Sequence, residues 1–303
     1  MPELRRTFLT QIAGGALVAG TSVARGGAPA DALPTVSFGK ATITRLIIGG
    51  NPLGGYSHST RKLDDIMRHY FTVQRTADLL IHAEEQGINT FQSHYSPLVR
   101  DGIRQARDQG SKIQWICLSH PGEDNFWNDI VGLKPIGIAH HGNRTDDAFH
   151  FNQNPEKIRD FVKKVKDAGI FAGISTHSPH VFARIEDSAW ENDFYMGCLY
   201  YLTRTPDELK GIYGDKLVTK EEPFVAGDPA RMCERIRSTK KPCLAFKLLG
   251  AGRNCWTKEL IEGSFQFAYK NIKASDACIV GMFPILADEV RENANYARKY
   301  AVA

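Results

Sequence analysis

VQRTADLLIHAEEQGINTFQS, residues Val73 to Ser93, changes its period in the middle. Up to Gly87 the apolar residues recur at helical spacing, and Gly87 stops the helix. From Ile88 a short apolar run of strand character takes over. The same exchange repeats along the chain. LVRDGIRQARDQG gives way to KIQWICLS, DNFWNDIVGL to PIGIAHH, PEKIRDFVKKVKDAG to IFAGIST, PHVFARIEDSAW to FYMGCLYYL, DPARMCERIRS to CLAFKLLG, and TKELIEGSFQFAYKNIK to DACIVGM. With TRLIIGG at the front and PILADEVRENANYARKY at the back, eight strands are each followed by a helix.

Short apolar strands alternating with amphipathic helices imply parallel strands and crossover helices. Eight units in about 270 residues predict one closed (β/α)8 TIM barrel over residues 31–303. An open doubly wound sheet is expected to carry G-x-G-x-x-G after its first strand, and GGNPLGG (Gly49 to Gly55) does not spell it. Residues 206–227 exceed an ordinary connection, and either cover the mouth as a lid or decorate the surface.

The chain has 303 residues, 42% hydrophobic and 24% charged, which suits a globular domain with a substantial core. Net charge is +4, and residues 1–30 hold three arginines against one glutamate. The remainder is too mildly basic to point to nucleic acid. RRTFL (Arg5 to Leu9), a Gly- and Ala-rich apolar run, and APA (Ala28 to Ala30) follow one another in order. Together they resemble a twin-arginine signal peptide over residues 1–30. That resemblance implies contact with the twin-arginine machinery and a periplasmic or exported product. The apolar run is short for a membrane span, so no stable insertion is expected after cleavage. The six cysteines show no C-x-x-C spacing and no zinc or cluster motif.

Several stretches resemble the aldo-keto reductase superfamily, in that family's order. VSFGKATITRLIIGGNPLGG is similar to its opening hairpin and first strand. GINTFQSHYS is similar to the segment carrying its aspartate and tyrosine, and IGIAHHG to the strand ending in its histidine. GISTHSPHVFARI, LAFKLLGAG and IVGMFPILADEVREN resemble its later cofactor-facing segments. The resemblance implies a barrel of aldo-keto reductase type and an oxidoreductase acting on a carbonyl or sugar-like small molecule, a saccharide among the candidates, with NAD(P). It places Tyr95 as proton donor, with His141 or His140 as its partner. Strand alternation admits one of the two histidines inward, and His141 is favoured. Lys247 is a candidate cation for tuning the phenol, since Gln92 stands at the aspartate position and Leu118, Ser119 or His120 at the lysine position. Cofactor contacts are implied for Ser175, Thr176, Phe246, Lys247, Gly281 and Asn293. Glu289 stands where a 2′-phosphate would be bound, which disfavours NADP.

The histidines suggest a second chemistry. His94, His120, His140, His141 and His177 lie at the ends of strands two to five, the face where barrel enzymes build their sites. Three converging imidazoles would hold zinc or a similar divalent metal, giving a lyase or hydrolase acting on sugars. A third reading is a barrel that binds a ligand without catalysis. Under either enzymatic scheme Tyr95→Phe is expected to abolish turnover.

Overall fold

The computed structural model describes residues 32–119, 121–151, 154–214 and 222–302. The expected export signal and the expected metal ligand His120 lie outside the described residues. Two short strands, β1 (Thr35–Phe38) and β2 (Ala41–Thr44), form an antiparallel hairpin. Eight parallel strands follow: β3 (Leu46–Gly49), β4 (Thr90–His94), β5 (Gln114–Ser119), β6 (Gly137–His140), β7 (Phe171–Thr176), β8 (Phe194–Cys198), β9 (Cys243–Phe246) and β10 (Ala277–Gly281). Consecutive strands pair, and β10 pairs with β3 from Cys278↔Leu46 to Gly281↔Gly49, which closes the ring. The expected (β/α)8 TIM barrel is therefore the fold.

The strands read as nearly unbroken apolar runs because both their faces are buried. Ile47, Ile116, Ala139, Met196, Leu244 and Ile279 fill the interior together with Phe38 and Ile43 of the hairpin. Their neighbours in sequence, such as Ile48, Cys117, Ile138 and Ala245, pack outward beneath the helices. Phe38 stands edge-on to Phe171 at 4.9 Å and to Phe194 at 4.7 Å, centroid to centroid. Those rings begin β7 and β8, so the hairpin plugs the N-terminal end. Any site built on strand ends is left with the opposite, C-terminal face.

Inside that plug, Gly173 is required by a close approach. A Cβ on Gly173 would stand 2.3 Å from Phe194 Cζ. The Phe194 ring is stacked on Phe171 at 5.5 Å and flanked by Phe38, so it cannot step aside. Gly173→Ala should destabilise the protein by about 1–3 kcal/mol through overpacking, read from denaturant unfolding.

Helix starts are fixed by local chemistry. Ser96 and Ser178 each accept a hydrogen bond from the backbone N–H three residues on, with Pro97 and Pro179 in the first turn. An S-P pair directly after a strand thus caps the next helix and pins the preceding residues at the rim. The helix expected from Val73 onward spans Val73–Glu85, capped by Thr72. Three helices go beyond the expected eight: Arg61–Tyr70, Gly142–His150 and Pro206–Tyr213. The last lies in the long 206–227 connection and starts with a capping box between Thr205 and Glu208. Among the described residues no helix is long and apolar enough to cross a membrane.

Candidate functional site

Asp146 sits on the Gly142–His150 helix and is fully buried at 0% exposure. Its carboxylate is surrounded by donors. Thr176 Oγ1 bonds one oxygen. The other accepts from the His177 backbone N–H at 2.8 Å, from His177 Nδ1 at 3.1 Å and from Thr203 Oγ1 at 3.0 Å. A buried carboxylate is tolerated where donors replace its water in this way. An acceptor-only carboxylate assigns the imidazole proton to Nδ1 and leaves Nε2 as the proton-accepting nitrogen. Among the described residues Nε2 makes no hydrogen bond. His177 is thus a base oriented by a carboxylate, at the mouth end of β7. Gly142 lets the helix start approach the ring, because a Cβ there would lie 2.8 Å from His177 Cε1 and 3.0 Å from Ser175 Oγ.

A second group lies beside it. Phe246 ends β9 with its ring 5.5 Å from the His177 ring, and Lys247 follows. Lys247 adopts a left-handed backbone conformation, φ 62°. Its side chain is only 7% exposed, and its Nζ lies 3.5 Å from Glu222 Oε2, a long ion-pair contact in which neither atom completes a hydrogen bond. Glu222 accepts at its other oxygen from His58 Nδ1 at 3.0 Å, and Asn51 Nδ2 donates to His58 Nε2 at 3.2 Å. Burial alone would raise the Glu222 carboxyl. The hydrogen bond from His58 and the nearby charges of Lys247, His58 and His177 outweigh it and hold the carboxyl at about 2. Burial of Lys247 is not offset in the same way, so its ammonium releases its proton below the ordinary lysine range. The lysine is the more deeply buried partner, 7% against 35% exposed.

Apolar surface flanks the pair. Phe224 lies 4.9 Å from the Tyr200 ring, and the Arg253 guanidinium stacks 3.8 Å over Phe224. Arg253 Nη1 also donates to the His58 carbonyl at 3.1 Å, tying the loop after β3 to the segment that carries Glu222.

The structure distributes the expected site residues unevenly. His94 is half-buried at the end of β4, with Tyr56 edge-on at 5.2 Å, and burial lowers its pKa against the opposing charge of Glu123. Tyr95 turns the other way, into the core between strands and helices. Its ring packs on Phe126 at 5.1 Å and its hydroxyl donates to Asp129 at 2.6 Å. Burial first, and then the bond to Asp129, raise its pKa, the opposite of what an acid–base tyrosine needs. The structure therefore gives the reverse expectation for this residue. Tyr95→Phe should retain turnover and lower stability by about 1 kcal/mol, the net worth of one hydrogen bond, checked by assay and melting of the same preparation.

His140 also faces outward, hydrogen-bonding Thr145 Oγ1 at 2.7 Å with its ring 5.1 Å from Phe161. His141 follows it at the rim, its N–H donating to the Ser119 carbonyl at 2.7 Å as the Gly142–His150 helix begins. Among the described residues no three His, Cys, Asp or Glu side chains are grouped to hold a metal ion. His140 is turned into the helix layer, and His177 Nδ1 is held by Asp146.

Among the positions expected to hold a nicotinamide dinucleotide, Thr176 is engaged and Asn293 is buried within the protein. Thr176 Oγ1 is engaged by Asp146 and accepts from the Ser178 N–H at 3.0 Å. Asn293 is buried in the Glu289–Tyr300 helix, and Gly281 lies exposed at the end of β10, where a Cβ would stand 3.0 Å from Pro52 Cδ. Carboxylates crowd the start of that helix. Asp288 accepts from Arg291 N–H at 3.1 Å, and Glu289 accepts from Phe283 N–H at 2.7 Å. With Glu292 in the same turn, a pyrophosphate there would meet acceptors and negative charge instead of free N–H groups.

Neither Glu222 nor His58 is marked by local spacing, and Asp146 lies 31 residues from His177. The signals that sequence does carry are the strand-end positions of His177 and Lys247.

No family model matches the chain, and no curated protein matches it. Among solved structures, Gox0644 in its apo form is similar over 88% of this chain and 88% of that chain, at 10% identity and a TM-score of 0.54. The glycerol dehydrogenase AKR11B4 from Gluconobacter oxydans is similar over 89% and 90%, at 12% identity and a TM-score of 0.49. A truncated 3-deoxy-D-arabino-heptulosonate 7-phosphate synthase from Thermotoga maritima is similar over 88% and 90%, at 13% identity and a TM-score of 0.48. At 10% identity the likeness to Gox0644 shows the fold alone and leaves the reaction to the side chains.

Proposed function

We propose that this barrel is an enzyme that moves protons on a carbonyl or sugar-like small molecule at its C-terminal mouth. The observation that carries the reading is the Asp146–His177 pair with its unengaged Nε2, next to the buried Lys247–Glu222 pair. In this reading Asp146 holds the ring so that Nε2 can take a proton from the carbon next to a carbonyl and return it. The cation of Lys247 lies where negative charge would develop on the carbonyl oxygen. Phe246, Phe224 and Tyr200 supply flat apolar edges of the kind that accept the C–H faces of a hydroxylated substrate.

The substrate class implied by the aldo-keto reductase resemblance is kept in this reading. Its hydride route is not, because Tyr95 is bonded to Asp129 and Thr176 to Asp146. The test is solvent exchange. Wild-type protein incubated in D2O with dihydroxyacetone, glyceraldehyde and a panel of ketoses should place deuterium at the carbon beside the carbonyl faster than buffer does. Exchange no faster than buffer across the panel would remove the reading.

A further inference from the structure

We propose that Lys247 is a nucleophile that condenses with the substrate's carbonyl group to form an imine. The proposal rests on the reading of the mouth as a site for carbonyl chemistry, and it goes beyond a purely electrostatic lysine.

Three observations on geometry support it. First, the Nζ is buried and has no hydrogen-bond acceptor among the described residues. A lysine serving as a structural cation would be expected to place its ammonium within bonding distance of carboxylate or carbonyl oxygens, as Lys273 does with Asp276 at 3.0 Å and with the Ile236 carbonyl at 2.6 Å. Lys247 instead stands 3.5 Å from Glu222. Second, its backbone is in the left-handed region at the very end of a barrel strand. A non-glycine residue held there costs on the order of 1 kcal/mol or more and persists where the surroundings demand that side-chain direction. Third, the acid–base group that such chemistry needs is adjacent, since the His177 ring lies 5.5 Å from the ring of Phe246, the residue before Lys247. A desolvated lysine also keeps more of its amine in the free, nucleophilic form.

The step balances without any redox partner. The free amine attacks the carbonyl carbon, a C–N bond forms, and the carbonyl π pair goes to oxygen. That oxygen takes one hydrogen from the amine and, from His177, the proton that Nε2 accepted from the Lys247 ammonium when the amine was freed. The nitrogen lone pair then forms C=N as the C–O bond breaks and water leaves. The product is a protonated imine with one N–H, its charge facing Glu222, and His177 is left neutral to take a proton from the neighbouring carbon. The imine draws in the electron pair that this proton leaves behind.

The experiment uses the full protein, dihydroxyacetone as the carbonyl probe, and cyanoborohydride to reduce any imine to a stable secondary amine. Peptide mass spectrometry locates the label, and deuterium exchange into the probe is followed in parallel. The expected result is labelling of Lys247 ahead of every other lysine, with complete loss of that label in Lys247→Arg and fall of exchange to the buffer level. Arginine keeps the cation beside Glu222, and circular dichroism and the melting profile establish that the variant is folded. Lysine labelling without preference for residue 247, together with exchange that survives in Lys247→Arg, would overturn the imine and leave the proton-transfer reading standing. Label at Lys247 with no exchange in the wild type would support the imine and overturn the role given to His177. Neither label nor exchange would overturn both.

Discussion

His177→Gln should lower the rate of solvent-proton exchange into substrate by about 10²–10⁴-fold, the usual worth of a positioned acid–base group. Glutamine can keep the hydrogen bond to Asp146 and much of the packing against Phe246, yet it offers no base at physiological pH. The fold should therefore survive, and the loss should appear in the chemical step with little change in probe binding. Asp146→Asn is the companion variant. An amide cannot accept from four donors as the carboxylate does, and its NH2 can stabilise the opposite imidazole tautomer, with the proton on Nε2. Exchange should fall in Asp146→Asn as well, and combining the two changes should cost scarcely more than His177→Gln alone, since the residues act as a unit. Additive losses would show that the two side chains work independently and would sink the oriented-base mechanism.

The barrel was legible because its signals are local. Each strand is an apolar run of a few residues, and each crossover helix shows its stripe within a dozen residues, as Ile158, Phe161, Val162 and Val165 do on the Glu156–Asp167 helix. Arg61–Tyr70 escaped because it buries Met67 alone and is otherwise polar or half-exposed, so it has no stripe to read. Gly142–His150 escaped because it follows the strand end at once and begins with a glycine, a poor helix former.

The site was less legible, for a geometric reason. Strand alternation at positions 94 and 95 decides which of two adjacent functional side chains enters the mouth, and the choice falls on His94. The same alternation at 140 and 141 turns His140 outward, against Thr145 and Phe161. No local pattern announces partners that meet only after the barrel closes. Glu222 and His58 are 164 residues apart, and the helix that carries Asp146 could not be placed against β7 from spacing. Lys247 could be singled out by its strand-end position, but its burial and its left-handed backbone could not.

Asp228→Ala should be the most destabilising of the single substitutions considered, by about 3–5 kcal/mol, because it leaves a buried guanidinium without its counter-charge. Arg204 and Asp228 expose 3% and 2% of their side chains. Asp228 Oδ1 pairs with Arg204 Nη2, while Oδ2 accepts from the Tyr201 N–H at 3.1 Å. Arg204 in turn donates to the Tyr201 carbonyl and, at 3.3 Å, to the Pro223 carbonyl, and its guanidinium lies 4.6 Å over the Tyr201 ring. The pair thus joins the loop after β8 to the start of the Asp228–Ser238 helix and to the residue next to Glu222. Calorimetry should show a drop in melting temperature of roughly 6–20 °C, given about 2–4 °C per kcal/mol for a large domain. Replacing both partners, Arg204→Met with Asp228→Leu, should recover much of that loss, since no charge is then left buried and unpaired. The double variant separates stability from function. It should fold with Glu222 less firmly held, so reductive labelling at Lys247 should change while the melting temperature is largely restored. If Asp228→Ala melted within a degree of the wild type, the pair would be solvent-screened, and its role in holding the Glu222 segment over the mouth would have to be abandoned.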